Sequence, residues 1–221
     1  MKVLGINASP KGSKSQTLRL VNKVLEGAKS TGADVELVDV CKLNIEYCID
    51  CKVCNKKGKC TKKDDFQELY DKMLAANGLV MGSPNYFKSI TAQMKTMVDR
   101  MSDAIHCQLL TGKYSVNVAT AGATGQDKII TEYLNDLMLN FGSFVTGSTE
   151  AAMDQGPKAL EDAEKKAFEL GKALAEDIRT KRDYIEQRKR LEENRKIFMA
   201  LVKRNPEWEH QNEYWNKHNW T

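Results

Sequence analysis

The stretch Lys2–Thr17, KVLGINASPKGSKSQT, decides the fold of this 221-residue chain. Its first part is a short apolar run ending at Asn7, as expected of a buried parallel strand. Its second part is rich in Ser, Lys and Gly and leads into an amphipathic helix that continues to about Ala28. The order strand, polar loop, helix predicts the first unit of an α/β fold.

The same alternation continues along the chain. Further strands are predicted at residues 34–40, 78–83, 113–120 and 143–151, and a long helix begins at Pro157, a residue favoured in the first helical turn. Five such units predict a doubly wound parallel sheet that is covered on both faces. For strand order 2-1-3-4-5, ligands are expected beyond the carboxyl ends of the strands, between strands 1 and 3.

Three loops are predicted to meet at this carboxyl edge, at residues 9–17, 83–89 and 120–125. The first supplies hydroxyls, backbone N–H groups and a helix N-terminus, which together favour a phosphate group. It matches neither the P-loop nor the dinucleotide fingerprint, and the alternative is an ordinary helix cap at Ser13 or Ser15. With an aromatic loop and a Gly-rich loop beside it, the edge suits a phosphorylated planar cofactor.

A cysteine run, CIDCKVCNKKGKC, follows the second strand and holds four of the six cysteines. The candidate metal ligands are Cys48, Cys51, Cys54 and Cys60. Cys-x2-Cys-x2-Cys turns three thiolates toward one point, which is typical of iron–sulfur clusters, and Cys60 is the natural fourth ligand. The neighbouring lysines would offset the negative charge of such a centre. A four-cysteine zinc site and free or disulfide-bonded thiols are the alternatives.

Composition limits the classes of function. The charge of +4 is mild and predicts no nucleic-acid partner, and the three histidines make a His-based metal site improbable. No apolar run reaches the length of a membrane helix, and the N-terminus lacks the features of a signal peptide. We therefore expect a cytoplasmic protein without membrane contact.

The composition changes after about Arg179, which predicts two parts: a domain at 1–179 with the cysteine loop at 48–60, and a C-terminal helical arm at 180–221. Tyr184, Leu191 and Phe198 recur every seven residues along a basic amphipathic helix. All three tryptophans lie in the last 14 residues and are costly to leave in water. We expect the arm to pack on its own domain or on a neighbouring subunit, and to form a wall of the cofactor crevice.

Several motifs together carry a family resemblance. They are Asn7–Lys11, Ser15–Thr17, Gly82–Phe87, Gln93–Lys95 and Asp99–Arg100. With the four cysteines, the chain resembles the iron–sulfur flavoproteins of the NADPH-dependent FMN reductase branch, within the flavodoxin-like superfamily. The resemblance covers about residues 1–178 and implies FMN, one [4Fe-4S] cluster per chain and a homo-oligomer, dimer or tetramer, with the cluster of one subunit near a flavin of another.

The resemblance also implies the residues that contact FMN. Ser9, Ser15 and Thr17 would donate to the phosphate from the loop that contains Lys11, with Gln16 where the family often has Asn. The loop along the ribityl chain and the ring would comprise Pro84, Asn85, Tyr86 and Phe87. The turn near the pyrimidine end of the ring would comprise Thr120, Ala121 and Gly122. Simple core packing is the alternative for the two aromatic residues.

The predicted function is an FMN-dependent oxidoreductase. Electrons would pass between a ferredoxin-like carrier or NAD(P)H, the cluster, FMN and a small-molecule acceptor, with no side chain named as an acid–base catalyst. One alternative is an NAD(P)H-dependent FMN or quinone reductase with a structural zinc site. A non-enzymatic alternative is a flavin-binding sensor or electron-carrier module acting through its C-terminal arm.

Overall fold

A computed structural model describes residues 1–220 of the chain. The sheet contains β1 (Lys2–Asn7), β2 (Asp34–Asp39), β3 (Gly78–Pro84), β4 (Tyr114–Ala121) and β5 (Phe144–Ala152). All neighbouring strands are parallel, in the order β2-β1-β3-β4-β5. The flavodoxin-like architecture and strand order predicted from the sequence are confirmed.

Helices cover both faces of the sheet. They are α1 (Gln16–Ser30), α2 (Val53–Lys57), α3 (Phe66–Ala75), α4 (Ala92–Asp99), α5 (Ser102–His106), α6 (Gln126–Asn140), α7 (Pro157–Thr180), α8 (Ile185–Lys203) and α9 (Glu209–Lys217). Side chains alternate between the faces along β3: Leu79 and Met81 pack with α3, α4 and α6, whereas Val80 packs with α1 and α7. No helix within residues 1–220 has both the length and the apolar character needed to cross a bilayer.

Two details differ from the sequence-based expectation. The sequence predicts one helix over about residues 91–101, but α4 ends at Asp99 and α5 begins only after Arg100 and Met101. The cysteine run, treated above as a loop, contains the five-residue helix α2, which lies between Lys52 and Gly58, both in the left-handed conformation with φ 60° and 71°. Cys54 in α2 and Arg100 at the break between α4 and α5 line the same cavity.

Helices α1 and α7 approach so closely that glycine is required on both. A Cβ atom added to Gly171 would lie 2.0 Å from the carbonyl oxygen of Val24, and one added to Gly27 would lie 2.0 Å from that of Phe168. Both neighbours are backbone atoms, which a side-chain rotation cannot move. The spacing of α1 from α7 is therefore set by these two glycines.

Replacement of Gly171 with alanine is expected to lower the free energy of unfolding by about 1–3 kcal/mol through overpacking. The direction of this change in stability is informative, because replacement of glycine with alanine inside a helix ordinarily stabilises the helix by about 1 kcal/mol. Urea denaturation followed by circular dichroism measures the effect. Gly122→Ala is the control, since a Cβ there meets nothing within 4 Å. A Gly171→Ala protein at least as stable as wild type would contradict the packing described here.

The C-terminal arm folds back on the domain. Helix α8 packs against α5 and α6, and α9 packs against α2 and α8. Val202, Trp208 and Trp215 form a small buried cluster of their own. The tail thus lies against the helix of the cysteine run.

Candidate metal centre and phosphate loop

The Ser-rich loop that the sequence predicts to bind phosphate, at residues 9–17, joins β1 to the first turn of α1. The Ser15 hydroxyl caps α1 by accepting a hydrogen bond of 3.0 Å from the backbone N–H of Leu18. The side chains of Ser9, Ser15 and Thr17 are all buried. The cap leaves the Ser15 hydroxyl proton free to donate elsewhere, because only the oxygen is engaged. Both the cap and the phosphate interpretation of this loop are therefore compatible with the structure.

Hydrogen bonds draw the three edge loops together. The Ala8 N–H donates to Gly82 O at 2.9 Å, and the Asn85 N–H donates to Thr120 O at 2.7 Å. The hydroxyls of Thr17 and Thr120 lie 2.6 Å apart. Only one of these two hydroxyls donates to the other, so one proton remains available. The loops at residues 9–17, 84–87 and 120–122 therefore meet at one edge of the sheet, as the sequence predicts.

The aromatic loop projects from this edge. Tyr86 and Ser89 form a tight backbone bridge, and Asn85 Oδ1 accepts from the Lys88 N–H at 2.8 Å. Phe87 has φ of 52° and is wholly exposed, with a relative accessibility of 104%, and Tyr86 is 41% exposed. A left-handed backbone is unfavourable for a bulky residue. The loop thus holds an aromatic ring in solvent at a conformational cost.

The remaining predicted residues of this edge differ in how far they are buried. Lys11 is exposed and Gln16 is half-buried at the start of α1, whereas Ala121 is buried. A Cβ added to Gly122 would meet no atom within 4 Å, so the backbone beside it is open. The edge therefore offers buried hydroxyls, an open Gly turn and exposed aromatic surface.

All four predicted cysteine ligands line one cavity. The cavity has an empty volume of about 530 Å³, part of which is open to solvent, and Arg100 and Asn55 belong to the same lining. Cys48 and Cys51 are exposed, whereas Cys54 and Cys60 are partly buried. Burial raises the pKa of the Cys54 thiol to about 11, and Asp103 and the other thiols add to this effect. Without a cation, Cys54 is thus a neutral thiol at pH 7.

A buried ion pair closes the base of the cysteine run. Arg100 Nη1 lies 2.7 Å from Asp64 Oδ2, and the two side chains are 1% and 0% exposed. The same guanidinium donates to Glu46 O at 2.8 Å, and Asp64 accepts from the backbone N–H groups of Glu46 and Phe66. Burial alone would lower the pKa of Arg100, but the hydrogen bonds to Asp64 and the nearby Cys60 raise it overall. The chain before Cys48 and after Cys60 is held together by this pair.

Comparison with known proteins gives the family. Residues 1–158 match the model of the NADPH-dependent FMN reductase family. The chain belongs to this family. An iron-sulfur flavoprotein of Archaeoglobus fulgidus is 33% identical, with 82% of each chain covered, and one of Methanocaldococcus jannaschii is 31% identical, with 79% of this chain and 93% of the relative covered. Within the FMN reductase family, this chain is thus a member of the iron–sulfur flavoproteins.

A solved flavone reductase shares the fold of this FMN reductase family member, with a TM-score of 0.66 at 22% identity over 81% of the chain. The chain spans 63% of that reductase's length. Membership of the FMN reductase family identifies the chain as an FMN-dependent oxidoreductase.

The edge of the sheet is compatible with FMN in this family member. The Asn7 side-chain Nδ2 is buried at the end of β1 and has no hydrogen-bond partner in the structure. An unpaired buried donor is costly and calls for an acceptor. The buried residues Ser9, Ser15 and Thr17 carry hydroxyls in the loop that follows Asn7 and in the first turn of α1. Together these donors suit an anionic phosphate next to the N-terminus of α1.

Some residues at the cysteine site were not predicted from the sequence as functional. Asn55 within the cysteine run and Gln211 beside it are completely buried, and Asp103 is 6% exposed. Arg100 appeared above only as part of a family motif, without a role. For Asn55, its position within the cysteine run was an available signal, whereas no feature of the sequence singles out Gln211 at the far end of the chain.

Proposed function

We propose that this iron–sulfur flavoprotein passes electrons between a one-electron carrier, a [4Fe-4S] cluster and FMN, and from FMN to a small-molecule acceptor. The observation that carries the proposal is the convergence of Cys48, Cys51, Cys54 and Cys60 on one cavity. The archaeal relatives, which are named iron-sulfur flavoproteins, support the iron–sulfur part, and the FMN reductase family supports the flavin part.

The donor set suits a cluster better than a single ion. Within the described part of the chain, no three His, Cys, Asp or Glu side chains lie close enough together to hold one metal ion. The choice between a cluster and zinc therefore rests on spacing in the sequence: three of the cysteines share one Cys-x2-Cys-x2-Cys run, whereas zinc sites usually use two separated Cys-x2-Cys pairs. Lys52, Lys62 and Arg100 in the lining would offset the negative charge of thiolates and sulfides.

At the flavin edge, the chain's own residues would bind and orient the cofactor. Ser9, Ser15 and Thr17 would hold the phosphate, and Pro84–Phe87 would lie along the ribityl chain and the ring. Thr120–Gly122 would face the pyrimidine end of the ring, where backbone N–H groups favour negative charge. When both groups are bound, the cluster exchanges single electrons and the flavin one or two, so no side chain is assigned as acid or base.

The proposal includes a homo-oligomer. Tyr47 and Ile49 beside the cysteines are 77% and 69% exposed, and Phe87 at the flavin edge is fully exposed. Large apolar side chains of this kind are typical of surfaces that are covered in an assembly. A dimer or tetramer would bury these residues and bring the cysteine site of one subunit toward the flavin edge of another.

If a ferredoxin-like carrier delivers the electrons, charge reversal at Lys56, Lys57 and Lys59 should slow reduction. These lysines are exposed next to the cysteines and would attract an acidic carrier. Replacing all three with Glu is expected to reduce the rate at low ionic strength by at least about tenfold. Stopped-flow reduction by reduced ferredoxin measures this. The same changes at Lys158, Lys165 and Lys166 on α7 are the matched control, and equal rates in all three proteins would reject this entry route.

Membership of the NADPH-dependent FMN reductase family favours NADPH as the electron donor of a second candidate. In this candidate the cysteines would hold structural zinc. Its chemistry would be hydride transfer from NADPH to the flavin without a one-electron carrier. The two candidates therefore differ in metal content and in the electron donor they require.

Metal and cofactor analysis tests the proposal. Protein purified without oxygen should contain about four irons, about four sulfides and about one FMN per chain, as expected for one cubane held by four cysteines. Its visible spectrum should change when the cluster is reduced by dithionite. Zinc with FMN, no sulfide and fast flavin bleaching by NADPH would replace the proposal with the second candidate.

A further inference from the structure

One residue of the C-terminal tail reaches into the cysteine site. Gln211 in α9 is completely buried, and its Nε2 donates to Asn55 Oδ1 at 3.1 Å across 156 residues of sequence. Asn55 directly follows Cys54 in α2 and is itself completely buried. Ser102 Oγ donates to the same Asn55 oxygen at 3.1 Å. The side chain next to a predicted ligand is therefore held by two donors from outside the cysteine run.

The orientation of the Gln211 amide is fixed by its other neighbours. Nε2 lies 3.3 Å from the Asp103 carboxylate, which accepts hydrogen bonds, and Oε1 lies 3.1 Å from His106 Nδ1. Burial lowers the pKa of His106, so its ring is neutral at pH 7, and the tautomer protonated at Nδ1 would donate to the amide oxygen. A flipped amide would place its oxygen against the carboxylate. Gln211 thus presents only a donor to Asn55.

Further contacts dock α9 around Gln211. Trp215 Nε1 donates to His106 O at 3.1 Å, and the Trp208 ring stacks on the His106 ring at 5.1 Å between centroids. On the other side, His210 packs so closely on Gly58 that an added Cβ would lie 2.5 Å from the ring. The tail thus contacts both the end of α2, at Gly58, and the end of α5, at His106.

The cysteine helix needs such support. With five residues, α2 is far too short to be stable alone. Cys48 and Cys51 are exposed, so the first half of the run has no core of its own. Its position therefore depends on contacts made by Asn55 and Gly58 with α5 and α9.

We propose that Gln211 is a positioning residue of the metal centre: by holding Asn55, it keeps Cys54 in place and slows the release of iron from the four-cysteine site. This inference rests on the proposed function, because it assumes an iron–sulfur cluster at the cysteines. It assigns the C-terminal tail, which lies beyond the matched family region at residues 1–158, to the metal centre.

Iron release from the anaerobically purified holoprotein tests the inference. Gln211→Met removes the hydrogen bonds at similar length, and Gln211→Glu keeps the volume but removes the donor. Both should lose iron to a ferrous chelator roughly fivefold faster or more, the change expected from one buried hydrogen bond. Hydrogen exchange of residues 48–60 should rise, whereas FMN content and exchange in β1 and β3 should stay at wild-type levels. Glu213→Gln, on the exposed side of α9, is the control.

A double-mutant cycle tests whether Gln211 slows iron release through its contact with Asn55 or through the stability of the whole protein. If Gln211 acts through Asn55, the combination of Asn55→Ala and Gln211→Met should release iron no faster than the faster single variant. Wild-type release rates in both Gln211 variants would overturn the inference, and so would a rise of exchange throughout the sheet. Fully additive effects in the cycle would also overturn it. A wild-type protein without iron and sulfide would instead reject the proposed function, and the inference with it.

Discussion

Replacement of Arg100 with leucine is expected to lower the free energy of unfolding by about 3–5 kcal/mol, because it leaves the buried Asp64 carboxylate without its partner. The Asp64 side chain is 0% exposed, so water cannot take the place of the guanidinium. The change also removes the donor to Glu46 O before the cysteine run. Urea denaturation should therefore show lower stability, and iron analysis should show a loss of cluster.

Two further variants test whether the buried charge is the cause. Arg19 forms an ion pair with Glu164 at the surface, and Arg19→Leu should change stability by less than about 1 kcal/mol. Adding Asp64→Asn to Arg100→Leu removes the unpaired charge and keeps a hydrogen-bond acceptor for the Phe66 N–H. The double variant should therefore recover part of the lost stability. A double variant less stable than Arg100→Leu would show that the unpaired charge of Asp64 is not the cause of the lost stability.

Replacement of Cys48 with serine should remove most of the iron and sulfide and abolish turnover with a one-electron donor, while FMN stays bound. The expected loss is large because a [4Fe-4S] cluster requires all four ligands. Cys48 is exposed, so the substitution disturbs no core packing. Iron and sulfide analysis, with the FMN content from the visible spectrum, measures both effects.

Cys41→Ser is the matched control for this variant. Cys41 lies outside the run, and burial raises the pKa of its thiol to about 11, with a further contribution from Asp39. The control should keep iron, sulfide and FMN at wild-type levels. A Cys48→Ser protein with a full complement of iron and sulfide would exclude Cys48 as a ligand.

The sequence predicted the sheet well because its signals are local. The five apolar runs, the Ser-rich loop after Asn7 and Pro157 at the start of α7 each act within one strand–helix unit. Their order alone sets the parallel sheet and its carboxyl edge. The four cysteines needed only their spacing to be recognised as a group, and the structure places them around one cavity.

What the sequence could not predict depends on distant contacts. Charged residues are usually exposed, so nothing marks Arg100 and Asp64 as a buried pair. The seven-residue spacing in the arm indicated a helix, and α8 confirms it, but three tryptophans suit a subunit interface as well as the parent domain. The expectation that the tail forms a wall of the flavin crevice stays a prediction, since its described contacts include α2 and α5 at the cysteine site.

The contact between Asn55 and Gln211 also has a consequence for biosynthesis. The ribosome adds about 5–20 residues per second, so the 156 residues that separate the two side chains take about 8–30 s to make. During that time the cysteine run is outside the ribosome without the helix that docks on it. Docking of α9 on the cysteine run therefore has to wait for the synthesis of Gln211, long after the four cysteines have been made.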